Sequence, residues 1–407
     1  MGVTQRELWR VASDPAAKVE DLAALVRSTP ADIRLKAARD PKTPPALLSA
    51  LVGDPRVMVR YRVAQNPSCP ESALADLAKD KDASIRCVVA MSAFTPPDAL
   101  AGLAGDELVD VRCAAAGNPN TPSNSLDILA RDHGGNIQLS VALNPNTPWS
   151  SLIELLHSPQ DFLRWYAAVH PNVPLSELPG LGESEDAWIR RGVAGNPGTS
   201  LLLLFSLAKD KEVLVRELVA YNPRTPPDLL SILAEDAWET VRWNCARNPN
   251  TLDVVLSELA HDDDPDIRQA VAQNPNTPGV VVFGLVDDEL DRVRHVAERH
   301  PELSSGGLGW LAEDPDFVVR CKVATYWKTP GKVLAKLAND PIAVVRASVA
   351  TNERTSAKVL VRLAEDRDPA VQRALADNPR TPPEALELLL KTARGETWTE
   401  ASKRLRA

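Results

Sequence analysis

A five-residue turn signal, NPNTP in its plainest form, recurs along this chain at intervals that are always multiples of 26. It stands at Asn118, Asn144 and Asn274. Variants are NPSCP at Asn66, HPNVP at His170, NPGTS at Asn196, NPRTP at Asn222 and Asn378, and NPNTL at Asn248. The register also passes through Asp14, Asp40, Ser92, His300, Tyr326 and Asn352, so fifteen units begin between residues 14 and 378 without an insertion or deletion. A fixed period of this length restricts the chain to a stacked repeat array. One unit cannot bury its own apolar face, so its neighbours must supply the core.

With the Asn-like residue as position 1, position 12 is Leu in all fifteen units, from Leu25 to Leu389. Position 9 is Leu in every unit but one, which has Val282. Position 20 is aliphatic in the fourteen complete units, and position 25 is Ala in all of these except at Glu298. Positions 9, 12 and 13 share one face of a helix, and positions 20, 24 and 25 share one face of a second. The turn motif reads as punctuation between them. Thr at position 4 suits an N-cap, Pro at position 5 suits the first helical residue, and Asp98, Asp228 and Glu384 complete partial capping boxes. Pro at position 2 stops the preceding helix, and Asn at position 1 bonds to nearby backbone.

The bulk numbers narrow the function classes. The chain has 407 residues, 44% hydrophobic and 25% charged, long enough for two or three ordinary domains, but the unbroken repeat predicts one elongated array. We read residues 1–13 as an N-terminal cap, 14–391 as the array and 392–407 as a C-terminal cap, with Trp398 and the basic SKRLRA tail forming an amphipathic helix. A net charge of −9 disfavours a general phosphate-backbone binder. The start MGVTQRELWR lacks the apolar stretch of a signal peptide, and no run is long enough to span a bilayer. Cys69, Cys87, Cys113, Cys245 and Cys321 form no CxxC pair and no metal-spaced cluster. The expectation is a reduced cytoplasmic protein without metal, cofactor or membrane.

The unit NPxTP, LxxLAxD, VRxxVA, as in NPRTPPDLLSILAEDAWETVRWNCAR from Asn222 and NPNTLDVVLSELAHDDDPDIRQAVAQ from Asn248, resembles the variant leucine-rich repeat family, a short bacterial HEAT-like repeat. The resemblance covers residues 14–391. It implies an all-α fold: a right-handed α-solenoid, or superhelix, of about fifteen helix–turn–helix repeats. In it the second helix is the shorter and is in part a 3₁₀ helix. A member of this family carries a cysteine-bound iron–sulfur cluster before its repeats. This sequence has no cysteine before Cys69, so that cofactor is not carried over.

Position 15 is Asp in eleven of fifteen units and position 21 is Arg in twelve of fourteen. HEAT-like repeats carry the same pair as a ladder between stacked units. The Asp can also accept from free N–H groups at the start of the second helix. The rival reading is a column of Arg residues binding nucleic-acid phosphates. An equally regular Asp column neutralises it.

The ladder is least regular in the middle. Gln138 replaces Arg, Ser158 and Ser184 replace Asp, the turn becomes DHGGN at Asp132, and LPGLG places Pro179 inside a first helix. Aromatic residues collect there: Trp149, Phe162, Trp165, Tyr166 and Trp188, with Tyr221 and Trp243 following. With Arg164 and Arg190 as rim cations, Trp149, Trp165, Tyr166, Trp188, Tyr221 and Trp243 are the candidate partner-binding residues, since exposed aromatics beside Arg are what interface hot spots use.

No catalytic constellation is legible. There is no Gly-rich phosphate loop, SSGGLG at Ser304 lying in a first helix by register, and no GxSxG elbow. His133, His157, His170, His261, His295 and His300 form no recognised pair, and His170 and His300 occupy the Asn slot of the turn. Some HEAT-like solenoids are similar to DNA glycosylases with a basic face, against which the acidic balance argues. The sequence predicts a non-enzymatic scaffold that binds a protein or peptide along a concave surface. Nucleic-acid binding through the Arg column is the alternative.

Overall fold

The structure, a computed structural model, describes residues 6, 10–11, 26–27, 29–134 and 136–406. Most of the N-terminal cap read at 1–13 and most of the first repeat's first helix lie outside the described residues. Among the described residues every regular element is a helix. The helices form two compact units, Met1–Arg224 and Thr225–Ala407, each a stack of helix pairs. This is the α-solenoid class.

One repeat shows the construction. In the repeat beginning at Asp40, a first helix, Pro45–Leu51, is followed by a second, Val57–Gln65. The expected lengths are reversed: the first helix has 7 residues and the second has 9. The reason is local. Pro44 is the N-cap rather than the first helical residue, so the helix starts one position later. It also ends early, closing through short-range bonds such as Lys79 N–H to Asp76 O (3.1 Å) and Asp80 N–H to Leu77 O (3.0 Å) in the next repeat. The 3₁₀ character therefore sits at the end of the first helix, and the second is α-helical.

The periodic leucines and valines form the core. Leu74, Leu77, Ile85, Val89 and Ala90 are all fully buried or nearly so. Each large aliphatic contributes roughly 1.5–3 kcal/mol of burial. Second helices pack on the second helices of the next repeat, as Asp161–Val169 does on Ala187–Gly195. Small residues permit this approach. Pro179, expected inside a first helix, instead lies in the first turn of the five-residue helix Leu178–Gly182, where its missing N–H does no harm.

The turn motif is structural, with one correction. Thr at position 4 does not cap the helix that follows. Its buried hydroxyl turns back and donates to the carbonyl six residues earlier: Thr121 to Ala115 O at 2.6 Å, Thr147 to Val141 O at 2.5 Å, Thr251 to Cys245 O at 2.6 Å. Those carbonyls belong to the last turn of the preceding helix, where each also accepts the N–H of the position-1 Asn, so the hydroxyl is a second donor that fills the remaining lone pair. The Pro N-cap offers no side-chain acceptor, so the partial capping boxes at Asp98, Asp228 and Glu384 do not close; these acids only occupy the first turn. Asn at position 1 reaches further than expected. Asn118 Nδ2 donates to Ala90 O (2.7 Å) and Ser92 O (2.8 Å) one repeat back, while its Oδ1 accepts from Asn120 N–H (2.9 Å). It ties successive turns together. His170 does the same, with Nε2 on Asn144 O (3.0 Å) and Nδ1 accepting from Asn172 N–H (3.1 Å).

At the far end the helix Glu396–Arg406 packs on Pro369–Asp377 and Pro383–Thr392. Ala401 is its buried residue, while Trp398 remains exposed. Arg404 falls on the repeat register and donates to Ala376 O at 2.7 Å, the carbonyl that a further repeat's Asn would take.

Candidate partner-binding site

The ladder sets the frame of the site. Arg60 Nε and Nη2 grip Asp80 Oδ2 and Oδ1 at 2.6 and 2.9 Å, and Nη1 donates to Asp54 O at 2.8 Å. Asp80 Oδ1 also accepts from Asp82 N–H at 2.9 Å, at the start of the second helix. Each rung thus joins Arg of one repeat to Asp of the next. The hydrogen bond from Arg86 holds Asp106 below the usual carboxylate range, against the opposing effect of burial. In Arg60, Arg86, Arg190, Arg242, Arg268 and Arg320 a carboxylate occupies the guanidinium fork. These side chains present no free cationic track for phosphates.

The central irregularities resolve in pairs. Gln138 and Ser158 are the two halves of one rung, and both have lost their charge. Gln138 Nε2 donates instead to Ala130 O at 2.8 Å. Ser184 leaves Arg164 without its usual partner, and Asp186, two residues on, takes the Arg164 Nε instead. Arg164 Nη2 also binds Asp161 Oδ1 at 2.5 Å. Arg190 is buried and paired with Asp210 at 2.6 Å. Both candidate rim cations are therefore ladder residues with their donors engaged.

The structure gathers some of the aromatics and separates others. Trp165 and Tyr166 touch, with ring centroids 4.6 Å apart. Trp188 lies on the next second helix, and the two indoles share one cation. Arg191 Cζ sits 4.7 Å from the Trp165 ring centroid and 5.1 Å from that of Trp188. Arg191 and Trp165 occupy position 22 of successive repeats, and Trp188 lies one helical turn before Arg191. Gly192 permits the nesting: a Cβ there would meet Ala168 Cβ at 2.5 Å and Trp165 O at 2.7 Å. Burial lowers the Arg191 pKa, with Glu217 one repeat on opposing it.

Trp149 opens the first helix Trp149–Leu156 and shares no ring contact with these side chains among the described residues. Tyr221 ends the helix Val213–Tyr221 and is 62% exposed. Trp243 lies in the second unit under its own cation, Arg247, at 4.4 Å. It lines a groove of about 580 Å³ with Glu239, Asp264 and Asp266. A larger groove, about 730 Å³, runs past His261 and Val280, but its charged residues Arg268 and Asp288 already hold each other. Sequence reading missed Arg191 and Arg247. The available signal was an Arg at the column position next to Trp165, and an Arg four residues after Trp243.

Cys69 and Cys245 are buried thiols. Burial pushes Cys69 up to about 12 and raises Cys245 further. Among the described residues no group of His, Cys, Asp and Glu is placed to hold a metal ion, and no helix is long and apolar enough to cross a membrane.

No protein-family model matches the chain, and no curated protein does. Among solved structures the chain is similar to a leucine-rich repeat variant described as having a novel repetitive structural motif. The identity is 21% over 65% of this chain and 84% of that one, with a TM-score of 0.27. It is also similar to a structure of the Pds5–Scc1 complex, at 12% identity over 96% of this chain and 72% of that one, TM-score 0.26. A Kap121p mutant matches at 14% identity over 98% of this chain and 48% of that one, TM-score 0.25. The first of these matches the resemblance read from the sequence. At such TM-scores the fold assignment stands on the helices and hydrogen bonds themselves: the protein is an α-solenoid repeat array.

Proposed function

We propose that this repeat array is a non-enzymatic scaffold whose helical surface binds a protein or peptide partner, with Trp165, Tyr166 and Trp188 as the anchors. The observation that carries this reading is the aromatic cluster around Arg191. Here two indoles and a phenol are half-buried on successive second helices, around one cation. Large aromatics beside Arg are the side chains that concentrate binding energy at interfaces. Trp149, Tyr221 and Trp243 are assigned as peripheral contacts, with Arg164 and Arg190 fixing the backbone beneath the anchors. The boundaries read from sequence, caps at 1–13 and 392–407 around the array, form part of the same proposal.

The test is affinity capture from a native extract with wild type beside Trp165→Ala/Trp188→Ala, with and without nuclease. Partner recovery by wild type alone, indifferent to nuclease and with helical signal kept in the variant, is the expected result. Equal recovery by both forms sinks the assignment. Recovery abolished by nuclease moves it to nucleic acid.

A further inference from the structure

We infer that Arg191 is the docking point for a carboxylate on an acidic peptide segment of the partner, an inference that rests on the scaffold reading above. Arg191 differs from the ladder arginines beside it, Arg190 on its own helix and Arg164 on the preceding second helix. Arg164 and Arg190 spend their donors on Asp161, Asp186 and Asp210. Arg191 has no hydrogen bond or ion pair among the described residues, and its guanidinium carbon lies over the Trp165 and Trp188 rings. Two donors in the cluster, Arg191 Nε and Trp165 Nε1, are sealed from solvent with no acceptor. The Nη groups of Arg191 are not among the sealed atoms, so theirs is the edge a ligand can reach. A guanidinium held against two indoles has little rotamer freedom left to lose. Its fork matches a carboxylate in bidentate geometry.

The surroundings favour one carboxylate flanked by apolar side chains over a polyphosphate chain. The arginines beside it are neutralised within the ladder, and the whole chain carries −9. Nucleic acids are held by several cations acting together, and a single free guanidinium does not supply them. Glu217, one repeat on in the same column, acts on Arg191 at long range without forming an ion pair with it, and is an internal competitor for the site. The corresponding cation in the second unit, Arg247 over Trp243, shares its groove with Glu239, Asp264 and Asp266, so acids of the protein itself already face it.

The experiment titrates the full chain with a short fluorescein-labelled peptide of alternating leucine and glutamate, its leucine–glutamine counterpart, and a labelled single-stranded RNA, reading anisotropy. Wild type should bind the glutamate peptide about tenfold tighter than the glutamine one, the size of one charge-assisted pair. Arg191→Gln should erase that preference while leaving the glutamine peptide unaffected, and Glu217→Gln should enlarge it. Arg191→Lys keeps the charge without the fork and should retain only part of the preference. It also serves as the folded control if Arg191→Gln loses helical signal. A preference indifferent to Arg191, or no binding of either peptide, overturns the inference. RNA bound more tightly than the glutamate peptide through Arg191 overturns it in favour of phosphate. Equal binding of both peptides that still requires Trp165 and Trp188 removes the carboxylate and leaves the scaffold reading standing.

Discussion

Arg60 grips Asp80 in a nearly sealed rung, each side chain 6% exposed, across the junction of two repeats. Removing one partner of such a pair strands the other charge, a loss of roughly 3–5 kcal/mol. Asp80→Ala should therefore lower the urea midpoint strongly. The double change Arg60→Gln/Asp80→Ser copies the rung that this chain already builds from Gln138 and Ser158, and should cost clearly less than the single one. Equal costs would show that the desolvated charge is not what matters.

The backward hydroxyl of Thr147 gives a second prediction. Thr147→Val keeps the shape and removes one of the two donors to Val141 O, leaving the Asn144 N–H in place, at a cost of about 0.5–1.5 kcal/mol. Thr147→Asn would preserve N-cap chemistry but has no hydroxyl to place there. It should be at least as damaging in thermal unfolding. A benign Thr147→Asn would restore the N-cap role.

Acid should weaken the array in two stages. His170 is shifted down, first by burial, with the Asn144 carbonyl opposing. Its contribution is complete above the unfolded value of about 6.5. It is lost as pH falls through the lower folded value, because the unfolded chain binds the proton first. The carboxylates of Asp106, Asp132 and Asp288 are likewise shifted down, by hydrogen bonds from Arg86, Arg112 and Arg268 first, with burial opposing. Their contribution holds above about pH 4 and disappears below it. Melting curves from neutral to acid pH should show both stages in wild type. Only the second should remain in His170→Asn, which restores the residue used in most repeats. A first stage that survives the substitution would exonerate His170.

Gly192 tests the packing of the aromatic cluster. Gly192→Ala places a Cβ against Ala168 and the Trp165 carbonyl. Overpacking of this kind costs about 1–3 kcal/mol. The near-ultraviolet circular dichroism of the indoles should change along with stability. Loss of stability with an unchanged aromatic signal would mean that the helices yield elsewhere and the cluster does not depend on their close approach.

Much of this architecture was legible without coordinates. The 26-residue period, the buried leucines at positions 9 and 12, and the Arg–Asp spacing follow from side-chain periodicity and charge pairing, which are properties of the sequence. A single sequence also showed where the pattern fails, at Gln138, Ser158 and Ser184. It did not show direction. Thr could bond forward or back, and only the packed turn, which brings the carbonyl six residues earlier beside the buried hydroxyl, selected back. Helix length was misjudged because the Pro at position 5 became a cap, a choice made by the turn as a whole. The candidate site is half legible: the aromatics cluster visibly in the sequence, but nothing in it separates Arg191, beside the rings, from Arg164 and Arg190, which belong to the ladder. Which arginine is spent in a rung and which lies over indole rings depends on contacts between repeats, at separations of 20 to 26 residues. Those contacts exist only once the helices are stacked.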